Sequence, residues 1–385
     1  MKVLHTIAGF GTQFGGTSTC TYDLIKALNI DVNNVELLTP DVIGDSDVLI
    51  GDREDWIRVI PNDCITPFEY SKNIKNFMYS SLYDVYHTNG LWMYINHLTC
   101  EIARKKKKPY ILTPHGMLYP EALKRSYWKK WPLLKLCFEK DILEASCIHV
   151  TCNPELEYVR RFGYKGPVAL IGNPANLPNY INDLSGRNID TQISTFGFLG
   201  RLHPRKKVEN LLYGINKCNP EMRKNMRLVI MGKGDESYEQ FLSDETKRLN
   251  LEKQVEFKGF VNGREKFEQL SQLSALFVPS DFENFGMIIT EALACKTPVF
   301  ASLGTPWEEL NVRECGWWMD RTPENIASVM MKIFSMTNDE IDAMGERGKL
   351  LVYEKYTASQ VANQMRNLYD WLVNGGNKPS FVFTE

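Results

Sequence analysis

Residues 281–299, DFENFGMIITEALACKTPV, hold two glutamates eight positions apart, Glu283 and Glu291, with Gly286 and an apolar stretch between them. The preceding ALFVPSD reads as a strand and the helix as starting near Gly286, which leaves Glu283 in the loop and Glu291 in the second helical turn. Eight helical residues span about 12 Å, an upper limit here because the first part is loop. That is roughly the reach from a hexose across a diphosphate to a ribose. A carboxylate accepts hydrogen bonds from vicinal hydroxyls, so each glutamate suits a sugar. The backbone N–H groups of Asn284, Phe285, Gly286 and Met287, at the helix start, suit the phosphates between them. Two solvated acids on a helix face are the plain alternative.

The opposite charge comes from FGFLGRLHPRKK (196–207), where Arg201 and Lys206 flank a predicted helix start. Two cations and a helix end match a diphosphate of about two negative charges without a metal ion. Merely solvated charges at a strand end are the alternative. MGKGD (231–235) puts Gly232 in a turn near which a nucleobase could slide, and FKGFV (257–261) offers backbone groups of Gly259 and Val261 to the edge of that base.

Two loops of the first half complete the set. GFGTQFGG (9–16) opens a helix, but its G-x-G-x-x-x-G spacing departs from the dinucleotide fingerprint, and VELLTP ends in Thr39 and Pro40 where a ribose-binding acid is expected. An oxidoreductase is therefore disfavoured. Gly15 and Gly16 still let N–H groups approach an anion at a helix N-terminus; a tight turn without a ligand reads equally simply. TPHGMLYP (113–120) puts His115 directly after a strand, where a neutral imidazole can meet a sugar hydroxyl or be satisfied by nearby backbone. His87, at the end of the preceding strand, is left without a role.

Other motifs compete. DSD (45–47) has the D-x-D form of metal-dependent transferases, but the tripeptide is common by chance, and no metal is expected. ARKKKKP (103–109) is the basic end of a helix. In 124–140, KRSYWKKWPLLKLCFEK, Trp128, Trp131 and Phe138 alternate with basic residues. That pattern suits an anionic membrane interface or packing of the helix against its own domain.

The elements that must position these residues follow from the alternation of short apolar runs with amphipathic stretches, the pattern of β-α-β units around parallel sheets. Strands are predicted at KVLHTIAG, VELLTP, WIRVIP, DVYHTNG, PYILTPHG, CIHVTC and VALIGNP, with helices near 17–29, 66–78, 93–107, 121–145 and 154–162. Residues 175–194 gather Pro, Asn, Asp and Ser and read as a linker. Strands resume at TFGFLGRL, RLVIMGKG, VEFKGFV, ALFVPSD and PVFAS. In open α/β sheets ligands lie beyond the carboxyl ends of the strands, and five strand-end loops carry the candidates for donor binding.

Composition agrees. With 385 residues the chain is long enough for two domains. A net charge of −2 offers no broad basic surface for nucleic acid. Nine cysteines with no C-x-x-C spacing read as reduced thiols of a cytosolic protein. The apolar run at the N-terminus is too short for a signal peptide, and no run is long enough to span a membrane.

Taken together, GRLHPRK, the E-x7-E stretch ENFGMIITE and the following ALACKTPV make the chain resemble the large retaining glycosyltransferase family 4, along most of its length. PHGMLYPEAL, GTPWEEL and CGWW resemble the branch that builds bacterial surface polysaccharides such as O-antigen, capsule or exopolysaccharide. The resemblance implies a GT-B fold: two Rossmann-like parallel-sheet domains facing across a cleft. These would be an acceptor domain over 1–178, joined by a crossover helix at 358–374, and a donor domain over 190–355, closing about the linker. It implies that Arg201 and Lys206 bind the donor diphosphate, Glu291 the ribose, Glu283 the transferred sugar, and Asn284 to Met287 the phosphates. His115 would meet the sugar near its reacting carbon, and Gly16 would lie by the diphosphate and acceptor. It further implies transfer from a UDP-sugar to a lipid-linked glycan at the cytoplasmic face of the inner membrane, with no cofactor besides the donor. Lys207 and Lys296 stand where the family often has Gly, and Asn89 where related chains often have His. An epimerase, a phosphorylase or a non-catalytic assembly subunit are the rival readings.

Overall fold

The computed structural model describes residues 1–11, 16–30, 34–40, 54–61, 68–124, 127–186 and 193–385. Strands of a parallel sheet are covered on both faces, so nearly all of their residues are buried. This holds for β1 (Val3–Ile7), β2 (Val35–Pro40), β4 (Val85–Asn89), β5 (Tyr110–Thr113), β6 (Cys147–Val150) and β7 (Val168–Leu170), with β3 (Ile57–Ile60) at the less buried edge. Together with the short strand Val382–Phe383 they form one sheet in the order Val382–Phe383, β7, β6, β5, β4, β1, β2, β3. Only Val382–Phe383 runs antiparallel to its neighbour. Register brings the strand ends level: Ile7 faces Asn89, and Asn89 faces Thr113.

The second sheet holds β8 (Ser194–Leu199), β9 (Met226–Met231), β10 (Val255–Gly259), β11 (Ala275–Val278), β12 (Val299–Ser302) and β13 (Gly316–Met319), in the order β10, β9, β8, β11, β12, β13 and all parallel. β13 lies in the CGWW motif and was not expected as a strand. Chain order reverses between β1 and β4 in the first sheet and between β8 and β11 in the second. At such a reversal the two following loops diverge to opposite faces and leave a crevice at the strand ends.

Residues Met1–Pro174 with Ala358–Glu385 form one compact unit, and Ala175–Thr357 form the other. The two units meet between Pro174 and Ala175 and between Thr357 and Ala358, beside expected domains of 1–178 with 358–374 and of 190–355. Helix Ala358–Asn374 belongs to the first unit: Arg366 donates to the carbonyls of Ala27 and Leu28, which end helix Gly16–Leu28, at 2.9 and 3.1 Å. The stretch read as a linker is not free along its described part. Ile181 is buried in the core of the second unit and Leu177, Tyr180 and Leu184 pack against that core, so the loss of periodicity marks a short 3-10 turn, Asn179–Asp183.

Of the helix expected over 121–145, the described residues form Pro120–Lys124 and a continuous helix from Tyr127 to Leu143, which widens to a π-helical turn over Leu134–Phe138. Pro132 supplies a reason, since it lacks an N–H and its ring crowds the preceding turn. No helix among the described residues is long and apolar enough to cross a membrane.

Candidate functional site

The second unit places its candidates at its own sheet reversal. After β8 the chain turns through Pro204–Lys206, a single 3-10 turn closed by Lys206 N–H on the His203 carbonyl at 2.8 Å. The α-helix expected between Arg201 and Lys206 starts later, at Glu209. After β11 the loop 279–286 runs beside that turn, and the Asp281 N–H donates to the Arg205 carbonyl at 2.8 Å, tying the two loops together. Lys206 forms an ion pair with Glu283, whose Oε1 also accepts from Ser280 Oγ at 2.8 Å. A cation and a carboxylate separated by 77 positions in sequence thus meet at the reversal.

Neither cation is uncompensated. Arg201 is exposed and reaches Asp235 at 3.2 Å. An exposed pair of this kind holds only about 0–1 kcal/mol, so an incoming anion displaces it cheaply. The Lys206–Glu283 pair is mostly buried, and exchanging it costs more. Lys207 and Arg321 approach Asp281 at 3.7 and 2.6 Å, which adds two cations around one carboxylate.

Loop 279–286 is held from behind by the loop after β12. Glu283 N–H donates to the Gly304 carbonyl at 2.9 Å, and a Cβ at Gly304 would overlap the Asp281 carbonyl oxygen. Buried Trp307 donates its indole N–H to the Phe285 carbonyl and packs on the Phe285 ring. GTPWEEL, noticed in sequence only as a resemblance, is thus the brace of the ENFG loop. Gly286 has φ +81, a conformation L side chains rarely adopt, and it caps helix Met287–Ala294. Glu291 lies in the second turn as expected. Its carboxylate is largely buried and bonded by Lys266 at 2.7 Å; burial raises its pKa and Lys266 opposes the rise. Lys266, on helix Gly263–Ser271, escaped sequence reasoning because its partner lies 25 residues away.

Local packing accounts for three of the residues expected near the base. Gly232 has φ +140, and a Cβ there would overlap the Gly200 carbonyl oxygen, so a close backbone approach accounts for the glycine without any ligand. The Gly259 carbonyl is not free, since it accepts from Gly232 N–H at 2.7 Å. Val261 is buried in the core of this unit.

In the first unit the reversal gathers Gly16, first residue of its helix, and Asn89, last residue of β4. Gly15 and the D-x-D at 45–47 lie outside the described residues. His115 follows β5 with φ +48, followed by Gly116 at +77. A non-glycine residue in this region is strained, a condition common at functional loops. The imidazole is half-buried, its Nε2 lies 3.4 Å from Asn89 Oδ1, and burial pulls its pKa down to about 3, so the ring is neutral. Glu155, unnoticed in the sequence, anchors this loop: its buried carboxylate accepts from the N–H of Gly116, at 2.5 Å, and of Thr151, at 3.0 Å. His87 is buried between Tyr369 and Thr113 and has a structural place.

Residues 124–140 expose Trp128 and Leu136, 87% and 80% accessible, beside half-exposed Tyr127 and Trp131, whereas Phe138 is buried. Lys130 turns inward, donating to the Ala122 carbonyl and lying over the Trp92 ring. Among the described residues no group of three His, Cys, Asp or Glu side chains is arranged to hold a metal ion.

Comparison with known proteins places both halves. Residues 14–177 match Glycosyltransferase Family 4, and residues 183–350 match Glycosyl transferases group 1. An uncharacterized glycosyltransferase of Methanocaldococcus jannaschii is 32% identical over 174 residues, covering 45% of this chain and 43% of that one. The chain spans less than half the length of three curated relatives that it matches. Among solved structures, sucrose-phosphate synthase from Thermosynechococcus elongatus superposes with a TM-score of 0.75 at 20% identity, over 98% of this chain and all of that one. Anabaena HepE in complex with UDP-glucose superposes with a TM-score of 0.72 at 16% identity, over 96% of this chain and 99% of that one. These likenesses establish the two-domain α/β fold of GT-B type.

Proposed function

Because the chain belongs to the GT-B glycosyltransferases, with a family 4 half followed by a group 1 half, we propose that it moves a hexosyl unit from a UDP-sugar to a lipid-linked glycan in surface-polysaccharide assembly. The observation that carries this reading is the meeting of Lys206 and Glu283 at the second sheet's reversal, with Arg201 near by in sequence and Glu291 two turns into the next helix. A diphosphate leaving group gains charge as the glycosidic bond breaks. Arg201, Lys206 and the first N–H groups of helix Met287–Ala294 are fixed in advance to receive it, and no metal ion is needed for that charge balance. Asn284 and Phe285 lead the backbone into those N–H groups. Glu291 takes the ribose hydroxyls and Glu283 the transferred sugar. His115 meets a sugar hydroxyl as a neutral ring.

Transfer proceeds with retention. The acceptor hydroxyl attacks from the side of the leaving group and gives its proton to a departing phosphate oxygen, so the chain supplies charge and orientation rather than a covalent nucleophile. The exposed Trp128 and Leu136 favour a lipid-borne acceptor, because apolar side chains on a basic segment suit an anionic bilayer surface. A second reading, transfer to a small soluble acceptor, is favoured by the likeness to sucrose-phosphate synthase.

The test is incubation of the chain with radiolabelled UDP-hexoses and a bacterial lipid extract, with and without EDTA. Label entering the organic phase irrespective of EDTA is the expected result. Label in a soluble glycoside would move the assignment to the second reading, and label confined to an epimer or a free sugar phosphate would contradict both.

A further inference from the structure

Beneath His115 the first unit buries a line of polar side chains that the transfer reaction does not use: His5, His87, Asn89, Thr113, His149 and Tyr369. Buried polar groups must satisfy one another, so the positions of their hydrogens follow from donor and acceptor counting. The line begins at the Ile171 carbonyl, which can only accept, so His149 Nε2 carries the proton, at 2.8 Å. Burial lowers the pKa of His149 to about 4 and of His5 and His115 to about 3, and holds His87 well below its usual value; each ring is neutral and has one bare nitrogen.

The bare Nδ1 of His149 therefore accepts from the Thr113 hydroxyl at 2.9 Å, and Thr113, its one proton spent, accepts from His87 Nε2 at 2.7 Å. His87 Nδ1 is then bare and accepts from the Tyr369 hydroxyl at 2.9 Å. Tyr369 accepts in turn from His5 Nε2 at 2.7 Å, which leaves His5 Nδ1 bare and facing Asn89 Nδ2 at 3.3 Å. The amide is oriented independently by the Thr6 carbonyl, which accepts from the same Nδ2 at 3.2 Å. The count from Ile171 and the constraint from Thr6 agree, with every link joining one donor to one acceptor. Asn89 Oδ1, left over, accepts from His115 Nε2 at 3.4 Å.

We propose that Asn89, backed by His5, Tyr369, His87, Thr113 and His149, is a positioning residue that holds His115 as the Nε2–H tautomer and so makes Nδ1 the ring's acceptor for a donor hydroxyl of the sugar. This rests on the reading that His115 meets the sugar, and it adds a direction: the ring accepts a hydrogen bond from the ligand's hydroxyl and does not donate one. It also assigns a role to helix Ala358–Asn374, whose Tyr369 is the middle link.

The test is a long-range proton–nitrogen correlation spectrum of the full chain with isotopically labelled histidine. The expected pattern is a protonated Nε2 and a bare Nδ1 at His115, and the same form at His5, His87 and His149. A proton on Nδ1 of His115, or exchange between the two forms, would overturn the proposal. In Asn89→Leu the His115 signals should move to tautomer-averaged positions while His149, still held by Ile171, keeps its own; an unchanged His115 would count against the lock. Should that variant fail to fold, Tyr369→Phe leaves Asn89 in place. It should shift the ring nitrogens of His5 and His87, and unshifted signals there would overturn the continuous line. The spectrum needs no sugar, so its failure is separate from a failure of the transfer assay.

Discussion

At the scale of single residues the account turns on how charges are paired before a ligand arrives. Replacing Arg201 or Lys206 with alanine should lower turnover by at least about tenfold, on the order of 1.4 kcal/mol of lost transition-state stabilisation. Lys206→Ala should in addition lower thermal stability, because it leaves Glu283 mostly buried without its cation, whereas exposed Arg201 should not. Steady-state rates and melting curves of the two variants separate these effects. Glu291 carries a pH signature. Burial raises its pKa, so its contribution to stability is fully present below the unfolded carboxyl value of about 4.3 and is lost as pH rises through the folded value. Glu291→Gln removes that loss; denaturant midpoints should shift in favour of the variant as pH rises from about 4 to about 7, and a constant gap would deny the raised pKa. The two glutamates were legible in sequence because strand, loop and helix start fix their spacing locally. Lys266, Glu155 and the pairing of His115 with Asn89 were not, since each partner comes from a different strand-end loop or helix.

At the scale of elements, two lysines explain a departure seen in the sequence. Lys207 and Lys296 have φ +52 and +62, the left-handed conformation that glycine adopts without strain. Lys296→Gly should therefore raise stability by about 1 kcal/mol, an increase of roughly 2–4 °C in the melting temperature of a domain this size, less the small worth of its exposed pair with Glu346. Calorimetry showing a lower melting temperature would contradict this. The segment 124–140 carries the second prediction. Trp128→Ala with Leu136→Ala should weaken co-sedimentation with anionic vesicles by at least about tenfold, given roughly 1.5 kcal/mol or more for each inserted side chain. Elements with plain periodicity were read closely, as VELLTP, a strand over Val35–Pro40, shows; the last helix, Ala358–Asn374, was expected from the family resemblance instead. The widened turn at Leu134–Phe138, next to Pro132, was not legible because the pattern stays amphipathic while the hydrogen bonding changes. The close approach of Gly232 to the Gly200 carbonyl was not legible, because a backbone contact cannot be seen from composition.

At the scale of the whole molecule, each unit is a parallel sheet with one reversal of strand order, and each reversal collects side chains that sequence distance hides. The alternation of apolar runs announced two such sheets, since a strand covered on both faces has little choice of residue. The strand order, which decides that the loops after β8 and β11 are neighbours, comes from the packing of whole β-α-β units and leaves no local mark. The central claim is that the reversal of the second sheet holds the diphosphate of a nucleotide-sugar, and titration calorimetry with UDP tests it most directly. Wild type should bind UDP, Lys206→Ala and Glu291→Ala should each bind at least about tenfold more weakly, and Trp128→Ala should bind as wild type does. Equal affinity in all four proteins would contradict the account.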